Sequence, residues 1–84
     1  MDSYMITFRT VMPAQRGEAL LRQMGVLCRL QRTPKWMESQ GCGYSIRLQG
    51  PRAEEAIRLL RERKIQFRKL YRIRENGSTE EMTL

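Results

Sequence analysis

The chain has 84 residues, 40% hydrophobic and 30% charged, with a formal charge of +7 and no histidine. That length allows one small domain and excludes an enzyme built from separate binding and catalytic lobes. The missing imidazole removes the usual general base, the usual partner of a nucleophile and the commonest metal ligand.

In chain order, residues 4–10 alternate Tyr4, Ile6 and Phe8 with Met5, Thr7 and Arg9, the period of a strand with one buried face. Pro13 suits the first turn of a helix, and Ala14, Leu20, Leu21 and Met24 then recur at helical spacing up to Gly25, a C-terminal stop. Val26, Cys28 and Leu30 alternate with Leu27, Arg29 and Gln31, giving a second strand that ends before Pro34. Beyond a loop over residues 33–41, Tyr44, Ile46 and Leu48 alternate with Ser45, Arg47 and Gln49 as a third strand. Gly50 and Pro51 break it, and Ala53, Ala56, Ile57 and Leu60 mark the apolar stripe of a second helix. A fourth strand follows, with Ile65, Phe67, Tyr71 and Ile73 on one side and Arg68, Arg72 and Arg74 on the other. Lys69 interrupts its alternation and marks a bulge or local shift. Residues 76–84 have no periodicity and read as a loose tail, acidic through Glu80 and Glu81. Without those two glutamates, residues 1–75 carry +9.

This order predicts an α+β domain over residues 1–75: a ferredoxin-like βαββαβ plait, with a four-stranded antiparallel sheet covered on one face by both helices. Strands one and three are central, and the loop between strands two and three lies at the end where the first helix begins. No run reaches the ~18 apolar residues of a membrane span, and residues 1–10 lack the pattern of a secretory signal, so a soluble cytoplasmic protein is expected.

The two cysteines differ in setting. A hairpin register placing Val26 opposite Leu48, Cys28 opposite Ile46 and Leu30 opposite Tyr44 puts Cys28 mid-strand among apolar neighbours and pairs Arg32 with Cys42. The sulfurs are then separated by roughly 13 Å along the strand, too far for a disulfide. Two cysteines without histidine or a Cys-x-x-Cys pair complete no structural zinc site, and no glycine spacing matches a phosphate loop, so neither metal nor cofactor is expected. Cys42 stands between Gly41 and Gly43 at a strand edge. There the free amides near residues 10–14, with Lys35 or Arg32, would lower its pKa and make it a nucleophile or sulfur acceptor. The alternative is that the three residues serve only a turn.

Thr7-Phe8, then Thr10, Ala14 and Glu18, then Thr33-Pro34-Lys35, Ser39 and the triplet Gly41, Cys42, Gly43 together resemble the selenium/sulfur carrier-like family of small bacterial proteins, over roughly residues 4–74. The resemblance implies that Cys42 holds sulfur or selenium as a persulfide or selenosulfide and passes it between donor and acceptor proteins. The site would be lined by Gly41, Gly43, Thr10, Thr33, Pro34, Lys35 and Ser39. It makes the chain a stoichiometric relay more than a self-contained enzyme. The family's short charged or aliphatic pair is replaced here by Trp36 and Met37, and Trp36 either caps the core or offers a docking handle.

A second surface competes with the cysteine. With these strand parities the uncovered sheet face presents Arg9, Arg29, Arg47, Arg68, Arg72 and Arg74 without an acidic residue. RNA binders of this architecture stack bases on outward aromatics of the central strands, whereas every tyrosine and phenylalanine here is assigned to the covered side. Met5, Leu27 and Leu70 interrupt the arginines, so the face suits an acidic protein or a second copy of the chain as well as RNA, or is merely solvated.

Overall fold

The structure, a computed structural model, describes residues 2–35 and 43–82. Seven regular elements follow in order: β1 (Ser3–Phe8), α1 (Val11–Gln23), β2 (Cys28–Arg32), β3 (Tyr44–Gln49), α2 (Ala53–Glu62), β4 (Leu70–Ile73) and β5 (Thr79–Met82), with a short 3-10 turn at Gly50–Arg52. The α+β class holds, and the sheet is antiparallel in the order β2-β3-β1-β4-β5. It has five strands where four were expected.

Core formation follows the two periodicities. Ile6 and Phe8 of β1 and Ile46 and Leu48 of β3 meet Ala14 and Leu21 of α1 and Ala56, Ile57 and Leu60 of α2. Each fully buried large aliphatic or aromatic side chain contributes roughly 1.5–3 kcal/mol. Gly17 is what lets α1 lie close. A Cβ built there would sit 3.2 Å from Ile46 Cδ1, 3.2 Å from Leu60 Cδ2 and 3.5 Å from Phe8 Cζ. Met24, expected on the apolar stripe, is instead the C-cap of α1 and is 48% exposed.

Both helices stop in the same way. Gly25, at φ 82°, donates to Arg22 O, and Val26 donates to Leu21 O at 2.8 Å, the paired bonds of a Schellman motif. At the end of α2, Lys64 donates to Arg61 O and Ile65 to Leu60 O, with Lys64 itself at φ 57°. A lysine there bears a left-handed backbone penalty of about 1 kcal/mol that glycine avoids. Lys64→Gly should therefore raise the melting temperature, by ~4–8 °C per kcal/mol gained in a domain of this size. A thermal melt of the variant that is unchanged or lower would refute this account of the helix end.

The first helix stop also sets the hairpin. Because Val26 closes the helix, β2 begins at Cys28, and the register becomes Cys28 with Leu48, Leu30 with Ile46 and Arg32 with Tyr44. This differs from the expected register by two residues, which keeps every side chain on its face but puts Arg32 opposite Tyr44 rather than Cys42. The guanidinium lies over the tyrosine ring, 5.6 Å from its centroid.

The larger departure lies before β4. Thr7 donates its N–H to Lys69 O at 2.8 Å and accepts from Arg68 N–H at 2.7 Å, so two residues oppose one and the chain bulges at Arg68–Lys69. The Thr7 hydroxyl accepts from Lys69 N–H at 3.1 Å and fixes the bulge. One extra residue reverses the parity beyond it. Leu70 opposes Ile6 on the helix side and Tyr71 opposes Met5 on the other face; Arg72 opposes Tyr4 and Ile73 opposes Ser3. Tyr71 and Ile73 were expected on the helix side and Arg72 on the open face, and all three are reversed.

The added strand comes from the segment read as an aperiodic tail. Arg74 N–H donates to Ser78 O and Gly77 N–H to Arg74 O, both at 2.9 Å, with Gly77 at φ 89°. This three-residue turn brings Thr79–Met82 alongside β4. Glu80 and Glu81 then pair with Arg74 at 3.3 Å and Lys69 at 3.5 Å.

Candidate functional site

Phe8 pairs with Tyr44, so the exit of β1, the start of α1 and the start of β3 converge at one end of the sheet. Here Thr33 donates its N–H to Gly43 O at 2.9 Å and closes the root of the β2–β3 connection. Thr33 and Gly43 are buried, Pro34 is half-buried and Lys35 is exposed. Ser39, Gly41 and Cys42, and Trp36 with them, lie outside the described residues.

Two hydroxyls near this root, Thr33 Oγ1 and Ser45 Oγ, are buried without a hydrogen-bond partner among the described residues. A buried polar group left unpaired costs about 1–3 kcal/mol, so an acceptor brought beside them would be held. Thr33 belongs to the expected site. Ser45 was missed, although a small polar residue in a central strand two positions after Gly43 is a signal the sequence does carry.

The start of α1 is electropositive. Thr10 occupies the N-cap with extended backbone, makes no side-chain cap bond, and is exposed; the first turn has no acidic residue. The first N–H groups of the helix and the positive end of its dipole therefore have no neutralising side chain within that first turn. Beside them is a cavity of about 260 Å³ lined by Arg9, Thr10, Pro13, Gln66, Phe67 and Arg68.

The six arginines assigned to one face divide three ways. Arg9 and Arg68 border that cavity. Arg72 donates to Asp2 Oδ2 at 2.7 Å, and Arg74 pairs with Glu80. Arg29 and Arg47 remain on the open face, directly opposite each other. The bulge and the fifth strand account for the loss of Arg72 and Arg74 from that face.

Cys28 has the character expected of a structural residue. It packs against the core, and its Sγ lies 3.9 Å from Glu18 O. Burial pushes the thiol up from its ordinary pKa and the Glu18 carboxylate adds to that, while Arg22 pulls the other way. A thiol kept protonated is a weak nucleophile at neutral pH. Glu18, part of the resemblance, works on the sheet edge: its Oε2 accepts Leu30 N–H at 2.8 Å, and Arg22 donates to Cys28 O at 3.1 Å. Two outward backbone groups of β2 are thereby occupied.

Among the described residues no helix is long and apolar enough to cross a membrane, and no group of three cysteine or acidic side chains is placed to hold a metal ion. The family model described as "Putative Se/S carrier protein-like" matches residues 3–72, from the first residue of β1 into β4. No curated protein and no solved structure matches the chain.

Proposed function

The chain belongs to the Se/S carrier protein-like family, and from that membership we propose that it relays sulfur or selenium between proteins on Cys42. The match over residues 3–72 is the observation that carries this reading. The element order and the strand order β2-β3-β1-β4 are read as a ferredoxin-like plait, with β5 appended to it.

The chemistry needs one thiolate. The Cys42 sulfur attacks the terminal sulfur of a donor persulfide; the donor's S–S bond breaks, its thiolate leaves, and a new S–S bond forms on Cys42. An acceptor thiolate then attacks the same terminal sulfur and releases the Cys42 thiolate. Both steps are exchanges without net oxidation, and the selenosulfide case differs only in the terminal atom.

Several features support an anion at this place. Cys42 is joined to Gly43 by one peptide bond, so its α carbon is within ~3.8 Å of one at the loop root. Among the described residues the Thr33 and Ser45 hydroxyls near that root have no hydrogen-bond partner, with Ser45 on the sheet face away from the helices, and the start of α1 is at the same end on the helix side. A hydroxyl donor on one face or the α1 amides on the other, with the Lys35 ammonium, would each favour a thiolate or persulfide anion over its protonated form. A reducing cytoplasm would suit such a thiol.

The test is intact mass after incubation with a cysteine desulfurase and free cysteine, before and after mild reductant. The wild-type and Cys28→Ser chains should gain one reducible sulfur, whereas Cys42→Ser should gain none because the Cys28 thiol is held protonated. A chain that gains no sulfur, or gains it on Cys28, would overturn the proposal.

A further inference from the structure

We propose that Leu27, Arg29 and Arg47 form a docking surface for an acidic protein segment that places carboxylates over the two arginines and an apolar side chain against the leucine. Arg29 and Arg47 are Cα partners across β2 and β3 and both are exposed. Like charges directly opposite on one sheet face repel, and their Cβ atoms stand about 4.5–5.5 Å apart. Among the described residues neither has an acidic partner; Arg47 donates only to Ser3 Oγ at 3.4 Å. The chain thus keeps a repulsive pair that a carboxylate would turn into an attractive one.

Leu27 makes the surface more than a patch of charge. It immediately precedes β2, shares the parity of Arg29, and is 87% exposed, more than Met12 or Met24. On the other side of the same edge, toward the end of α1, a hollow of about 400 Å³ is lined by Arg22, Gly25, Val26, Leu27 and Cys28, so Leu27 stands at the border between the two faces. An exposed leucine at the border of a face with paired guanidinium groups is the composition of a protein contact, in which an apolar anchor supplies affinity and charge supplies orientation. Nucleic acid fits less well. Base stacking needs a ring, and Tyr71, on the same sheet face, is on β4, beyond Arg47 and Met5 in its row. The surface does not involve Cys42, so it can be tested apart from the relay.

Fluorescence anisotropy of the intact chain decides the matter with two probes: a short labelled peptide of glutamates interrupted by a leucine, and a labelled single-stranded oligonucleotide of equal charge. The peptide should bind more tightly. Arg29→Glu with Arg47→Glu should weaken it at least roughly tenfold, Leu27→Ser several-fold, and Cys42→Ser not at all. Arg58→Glu with Arg61→Glu, an equal charge change on the exposed side of α2, should cost far less. Without peptide, Arg29→Gln should raise the melting temperature by relieving the repulsion. Equal losses in the two charge-reversal pairs, tighter binding of the oligonucleotide, or an unchanged melt for Arg29→Gln would overturn the assignment.

Discussion

Gly17→Leu should melt at least about 12 °C below the parent, a loss of roughly 3 kcal/mol or more at the ~4–8 °C per kcal/mol typical of a domain this size. A Cβ alone would come within 3.2 Å of Ile46 Cδ1 and Leu60 Cδ2. Those are methyl ends that can retreat by a few tenths of an ångström. Gly17→Ala should therefore be near neutral, because the helix-propensity gain of about 1 kcal/mol offsets the tight contact. The three further carbons of leucine have no such remedy. Ile46, Leu60 and Phe8 are all but sealed from solvent, so α1 must lift off the sheet and take Leu21 and Ala14 with it. A domain whose total stability is about 0.05–0.15 kcal/mol per residue has little to spare. Circular dichroism melts of the two variants separate steric overlap from loss of glycine as such; a leucine variant within a few degrees of the alanine one would refute the close approach.

Deleting residues 79–84 should lower stability by about 2 kcal/mol and increase self-association. The two ion pairs lost, Arg74–Glu80 and Lys69–Glu81, are exposed on both sides, and such pairs contribute only about 0–1 kcal/mol each. More is lost with Met82, which is packed against the core opposite Leu70. Truncation also bares the outer backbone of β4, a row of unpaired donors and acceptors able to accept another chain. Light scattering across a concentration series, beside thermal melts, measures both effects. A truncated chain that associates no more than the parent and melts with it would show that β5 contributes nothing to the edge.

The parts legible in the sequence were those governed by one local period. β1, β3, α2 and the face assignments of β2 followed from alternation or helical spacing, because burial acts on those side chains directly. The reversal after Lys69 shows where such reading ends. The broken alternation was visible, but whether a break means a bulge, and how many residues it consumes, depends on Thr7, sixty-two positions away. β5 failed for a different reason. Its Thr-Glu-Glu-Met sequence has low strand propensity and is held by register, by the partners Arg74 and Lys69, and by the turn before it. The Asn76-Gly77 dipeptide was a recognisable hairpin signal at that turn. Of the expected site, Thr10 and Thr33 fall at the predicted end of the sheet; Ser45, two positions after Gly43, lies near that end on the sheet face away from the helices.

The clasp of Glu18 and Arg22 on β2 gives the sheet a polarity in how it can meet its own kind. Among the described residues, Leu30 N–H and Cys28 O are already occupied on the β2 flank, so that edge offers fewer free hydrogen-bonding groups than a bare strand. A strand added to the β2 edge must therefore displace Glu18 and Arg22 before it can pair.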